Sequence, residues 1–103
     1  MKTQYFVFLH RPGPNWLKEK PVHEQPLEGH FQYMAQLSGS KILVLGGGFL
    51  DHSGAMGVLK AGSLDEAETL VAEDPAVCDG IVKTSVHPWF VTVGGTIEQS
   101  AIS

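Results

Sequence analysis

A chain of 103 residues suits one domain and is too short for two ordinary ones. With 43% hydrophobic and 17% charged residues, it has the balance of a globular chain and not of a disordered one. The net charge of -4 and the scattered basic residues argue against nucleic acid or anionic membrane as partners, since both need clustered Lys and Arg.

The first predicted element is a strand from Tyr5 to His10, rich in aromatic and β-branched residues, that stops before Arg11-Pro12-Gly13-Pro14. The opening apolar run ends at His10-Arg11 with no small-residue cleavage site after it, so no leader is expected. No stretch approaches the roughly 20 apolar residues of a membrane span. Arg11 to Gln25, with Pro12, Pro14 and Pro21, is predicted to be a long irregular loop of the lid or binding kind, packed down by Trp16. Pro26 suits a first helical turn, and Leu27, Phe31, Met34 and Leu37 then recur at helical spacing, with His30 on the same face. Gly39 is the expected stop.

A second strand is predicted from Lys41 to Leu45, followed by Gly46-Gly47-Gly48 and a loose connection to a returning strand, Ala55 to Ala61. Ser63-Leu64-Asp65-Glu66 matches a capping box and opens a helix whose buried stripe is Leu64, Ala67, Leu70 and Val71. Asp74-Pro75 interrupts that helix. Ile81 to His87 forms the last strand, closed by Pro88, and residues 94–103 form a small, polar, loosely held tail.

The order β-α-β-β-α-β predicts an α+β domain over residues 1–93 of the ferredoxin-like kind: a four-stranded antiparallel sheet with two helices on one face. The strands are apolar on both sides, since Phe6 and Phe8 alternate with Tyr5, Val7 and Leu9. A sheet wet on one face alternates apolar with polar. A second copy is therefore expected over the far face, making a homodimer or a higher oligomer.

Among chemistry-bearing residues, His30 stands on the apolar helix face and should point toward the sheet. Its plainer reading is a structural histidine held by a hydrogen bond; a partner carboxylate would make it a working base. Asp74, before a proline, reads first as an N-cap and second as the carboxylate that orients His30. Asp51 reads as a turn residue or as a side chain reaching a pocket. The glycine triplet is not a phosphate loop, because it leads to a strand and no Gly-Lys-Ser/Thr follows. His10, His23, His52 and His87 are scattered without ligand spacing, so no metal is expected. Cys78 is the only cysteine, which suits a reducing cytoplasm, and it reads as a buried, inert thiol.

Several segments together resemble the YCII-related family, within the dimeric α+β barrels. They are Arg11-Pro12-Gly13-Pro14-Asn15-Trp16, Glu24-Gln25-Pro26-Leu27, His30 with Tyr33-Met34, Leu45-Gly46-Gly47-Gly48-Phe49-Leu50-Asp51, Glu73-Asp74-Pro75 and Val86-His87-Pro88-Trp89. The resemblance implies interlocked subunits with facing sheets and a pocket holding a His-Asp pair, carried onto His30 and Asp74. It points to a small-molecule enzyme. Dehydrochlorinase activity on chlorinated hydroxyquinols is known in the family, and related barrels include muconolactone isomerase-like and cofactor-free monooxygenase-like enzymes. Ala76 after Asp74-Pro75, and Gly48 where many relatives have Pro, depart from the pattern at positions that bear on pocket shape.

The reading is thus a cofactor-independent cytoplasmic enzyme for a cyclic or phenolic molecule. His30 would act as general acid or base, Asp74 would orient it, and Asp51 would position substrate or relay a proton. Trp16, Arg11, Gly47 and Phe49 are the expected substrate contacts. The rival is a dimeric module that binds or senses a small ligand without transforming it.

Overall fold

A computed structural model describes residues 4–94. The expected tail beyond Gly94 lies outside the described residues. In chain order the elements are β1 (Gln4–Pro12), a 3-10 turn (Val22–Glu24), α1 (Glu28–Gly39), β2 (Leu43–Gly48), β3 (Ala55–Ala61), α2 (Leu64–Ala72), the single turn α3 (Pro75–Cys78) and β4 (Val82–Trp89). The four strands form one sheet in the order β2-β3-β1-β4, and every neighbouring pair is antiparallel. This is the βαββαβ, ferredoxin-like α+β arrangement predicted above.

Alternation along β1 sorts the sheet into two faces. Phe6 and Phe8 join Leu59 and Ala61 of β3 and Ala67 and Val71 of α2 in the main core, with Met34 of α1 packed against it. Tyr5, Val7 and Leu9 point the other way, in register with Lys60, Val58 and Met56. Gly57 stands opposite Phe8, and a Cβ there would lie 2.3 Å from the Phe8 ring. Only glycine lets that ring lie flat across β3, beside the His10 ring at a centroid distance of 5.0 Å.

The helix ends follow local chemistry. Ser63 caps α2 by accepting the Glu66 N–H at 3.1 Å, while the Glu66 carboxylate reaches back to the Gly62 N–H at 3.3 Å. Helix α1 has no side-chain N-cap, since Leu27 occupies that position. Its exit is a Schellman-type closure: Lys41 takes φ 61° and the Ile42 N–H donates to the Leu37 carbonyl at 2.9 Å. The Tyr33 hydroxyl donates to the Leu70 carbonyl at 2.7 Å and ties α1 to α2.

Several features differ from the sequence expectation. The glycine triplet lies inside β2 and not after it, paired with Gly57, Met56 and Ala55, because a register shift between Leu43 and Leu45 carries the strand forward. The last strand continues through Pro88 to Trp89. Strand β4 is an edge strand, so the missing proline N–H can face outward with no ladder bond lost. Phe31, placed on the buried stripe of α1, is 60% exposed.

The loop after β1 is tied down at both ends. The Gly13 and Asn15 N–H groups donate to the Ile81 and Gly80 carbonyls, each at 2.8 Å, and the Asn15 amide donates to the Asp79 carbonyl. Buried Gln25 staples the rest. Its Oε1 accepts the Leu17 N–H at 2.7 Å, and its Nε2 donates to the Leu17 and Lys20 carbonyls at 2.9 Å.

Candidate functional site

Asp74 is fully buried, at 0% exposure. An isolated carboxylate there would be very unfavourable, so its partners decide what it does. Oδ1 accepts the Ala76 N–H at 2.9 Å, the N-cap bond that starts α3. Oδ2 meets His30 Nδ1 at 2.6 Å. The cap bond and the histidine contact coexist because each uses a different oxygen.

His10 of β1 comes to the same oxygen. Its Nε2 lies 3.4 Å from Asp74 Oδ2, without the geometry of a hydrogen bond. The His10 and His30 rings meet edge to face, 5.6 Å between centroids, and Phe31 stands against His30 in the same manner at 5.1 Å. Burial pushes the Asp74 carboxyl up. The His10 and His30 imidazoles and the Ala76 N–H outweigh it and hold the carboxyl well below the usual carboxylate range. Tyr33, one turn along α1 from His30, is shifted the other way: burial and the nearby Glu73 and Asp74 charges raise its phenol.

What brings His30 to Asp74 is a close approach of two elements. Gly29 faces Pro75, and a Cβ on Gly29 would lie 3.1 and 3.2 Å from the Pro75 Cβ and Cγ. That is tighter than ordinary van der Waals contact. The missing side chain therefore lets α1 settle on α3, with the flanking His30 and Asp74 in hydrogen-bond range.

His10 and His30 line a cavity of about 460 Å³ between the sheet, α1 and the loops. Its other walls are mostly apolar or bare backbone and include Phe8, Trp16, Phe31 and Phe49. Of the residues expected to contact substrate, Arg11, Trp16, Gly47 and Phe49 all line it. A second hollow of about 1010 Å³ opens beside it, behind Trp16 and Phe31, but neither His10 nor His30 lines it.

Asp51 is not brought to the pair. It is exposed, lines neither hollow, and folds onto its own turn: Oδ1 accepts the Ser53 N–H at 3.0 Å and the Ser53 hydroxyl at 2.6 Å. Those bonds hold its carboxyl below the ordinary value. Cys78 is exposed and not buried as expected; its thiol donates at 3.1 Å to the carbonyl of Ala72, the last residue of α2.

His10 and His52 line the cavity although the spacing of histidines in the chain gave them no role. For His10 a signal existed: it shares the parity of Phe6 and Phe8 and so had to face the helices. His10, His30 and Asp74 each offer one donor atom, all within 4.8 Å of one another, the pattern of a two-histidine, one-carboxylate set. The 2.6 Å separation of His30 Nδ1 and Asp74 Oδ2 is that of a short charge-assisted hydrogen bond. Two ligands of a tetrahedral divalent ion, each bonded at about 2.0 Å, stand roughly 3.3 Å apart.

Comparison with known proteins agrees with this architecture. The model of the YCII-related domain matches residues 4–89, which include every strand and helix described above. The uncharacterized protein YjpA of Bacillus subtilis (strain 168) is 27% identical over 73 residues, spanning 71% of this chain and 86% of its own length. No helix among the described residues is long and apolar enough to cross a membrane.

Proposed function

Because the chain belongs to the YCII-related family, we propose that it is an acid-base enzyme acting on a cyclic or phenolic small molecule held in the His30 cavity. The observation that carries this is the 2.6 Å hydrogen bond from His30 Nδ1 to a wholly buried carboxylate at the wall of an apolar cavity. With Nδ1–H donating to Asp74, the lone pair is left on Nε2, which is then free to take a proton. Asp74 fixes the ring and balances the imidazolium formed during turnover.

The walls favour a flat, weakly polar substrate, because Phe8, Trp16, Phe31 and Phe49 offer ring faces and Gly47 offers bare backbone. Arg11 also lines the cavity, and its charge at the rim would suit a phenolate or carboxylate group. His30 removes a proton beside a carbonyl or from a phenol. The electron pair left behind either expels a leaving group from the neighbouring carbon or is reprotonated at another carbon, giving elimination or isomerisation. Proton transfer of this kind draws on side chains alone. The same reading has the chain act as a homodimer in the cytoplasm, where an exposed Cys78 stays reduced.

The test is solvent-deuterium exchange followed by proton NMR, on a panel of cyclic ketones, phenols and chlorinated hydroxyquinols. Wild type should label or convert at least one of them. His30→Gln should slow that reaction by about 10²–10⁴-fold while remaining folded, the usual contribution of one general base. Full turnover by a folded His30→Gln would remove His30 from the chemistry. Binding without any exchange or conversion would make the domain a ligand-holding module.

A further inference from the structure

His10 is 3% exposed on β1, an interior strand, and neither of its ring nitrogens has a hydrogen-bond partner among the described residues. An apolar ring of similar size would fill that place without leaving polar atoms unpaired, so packing does not account for a histidine here. Its Nε2 stands 3.4 Å from Asp74 Oδ2. A lone pair aimed at a carboxylate oxygen is repelled, so Nε2 carries the hydrogen and Nδ1 is left as an acceptor.

Thr84 supplies what that acceptor needs. It pairs directly with His10 across the β1–β4 ladder, and its hydroxyl oxygen is likewise buried with no partner among the described residues. Directly opposed residues on one face have Cβ atoms about 4.5–5.5 Å apart. A threonine hydroxyl turns about its side-chain bonds, so it can swing to donate to Nδ1.

We propose that His10 is a positioning residue for the His30–Asp74 pair: the Thr84 hydroxyl fixes it as the Nε2–H tautomer, and that N–H braces Asp74 Oδ2 from β1 while His30 holds the same oxygen from α1. Four side chains from separate parts of the chain then form one polar line running from the cavity into the sheet. The titratable groups facing His10 are His30 and Asp74, and Arg11 and His52 line the same cavity. This rests on His30 and Asp74 being the working pair, but its test needs no substrate, so the two can fail separately.

Nitrogen NMR of histidine-labelled full-length chain at neutral pH reads the tautomers directly. Wild type should show His10 protonated on Nε2 with Nδ1 accepting a hydrogen bond. Thr84→Val should abolish the Nδ1 bond, and Thr84→Ser should restore it. In His10→Leu the proton between His30 and Asp74 should exchange with water at least about tenfold faster, the effect of losing one charge-assisted bond. His10→Gln, whose amide can still donate to the carboxylate, should keep exchange near the wild-type rate. A purely structural His10 would not separate Leu from Gln in this way. An Nδ1–H tautomer at His10 overturns the assignment. So does wild-type exchange at His30 in a folded His10→Leu or, should that variant not fold, an unchanged His10 signal in Thr84→Val.

Discussion

Replacing Asp74 by Asn keeps the shape and removes the charge, which separates capping from pairing. The amide oxygen can still accept the Ala76 N–H, so α3 should persist. The bond to His30 loses its ionic character, and stability near pH 7 should fall by about 1.5–3 kcal/mol, the range for hydrogen bonds to charged groups. Acid titration gives the sharper signature. The folded carboxyl titrates below its unfolded value of about 3.9, so its stabilisation is fully present above that pH and is lost as pH falls toward the folded value. Wild type should therefore weaken between about pH 5 and pH 1. Asp74→Asn should lack that share of the acid decline in urea titrations run across the range. A variant with wild-type stability at pH 7 and the same acid slope would deny the buried pair any weight. The sequence disclosed Asp74 through its proline neighbour and His30 through helical spacing. It did not disclose that His10 joins them, because the three meet only once β1, α1 and the turn before α3 are stacked.

The site depends equally on how elements approach, and there a single methyl group can be decisive. Gly29→Ala puts a Cβ 3.1 Å from the Pro75 ring, so α1 or α3 must give by a few tenths of an ångström. The movement is opposed by the Tyr33–Leu70 bond, which pins the middle of α1 to α2. Alanine raises helix propensity by nearly 1 kcal/mol, so overall stability should change little. The His30–Asp74 distance should still lengthen beyond 2.6 Å, seen as a weakened, faster-exchanging His30 N–H. Unchanged exchange in Gly29→Ala would show that α1 and α3 can slide without moving the pair. Such a contact was invisible in the chain, since a glycine early in a helix reads only as a poor helix former. Periodicity did reveal the four strands, both long helices and the Ser63 cap. It misjudged the glycine triplet and Pro88, because strand pairing and edge position override the local preferences of those residues. Phe31 followed the helical period onto the face that borders the cavity, which periodicity alone cannot tell from core.

At the scale of the whole molecule, the two sheet faces are unequal. The helices cover the side of Phe6, Phe8 and Leu59. The far side presents Val7 and Leu9, half-buried, with Met56 in register with Leu9, Leu45 opposite Val58 and Trp89 opposite Tyr5. Leu45 is 55% and Trp89 45% exposed, while Tyr5 and Val58 are already buried by their neighbours. Apolar area removed from water stabilises by about 25 cal/mol per Å², and a stable interface needs about 800 Å² on each partner. A second copy of the same face would be a self-complementary cover for it. The chain should therefore sediment as a dimer at micromolar concentration. Leu45→Glu should shift it toward monomer, because a carboxylate buried in that apolar contact loses its hydration without gaining a partner. The monomer's own fold should survive, since Leu45 is more than half exposed in the single chain and belongs to neither core cluster. Sedimentation of wild type as a monomer would show that this face is stable in water as it stands. Dimers unaffected by Leu45→Glu would place the contact elsewhere, with the β2 edge the next surface to test.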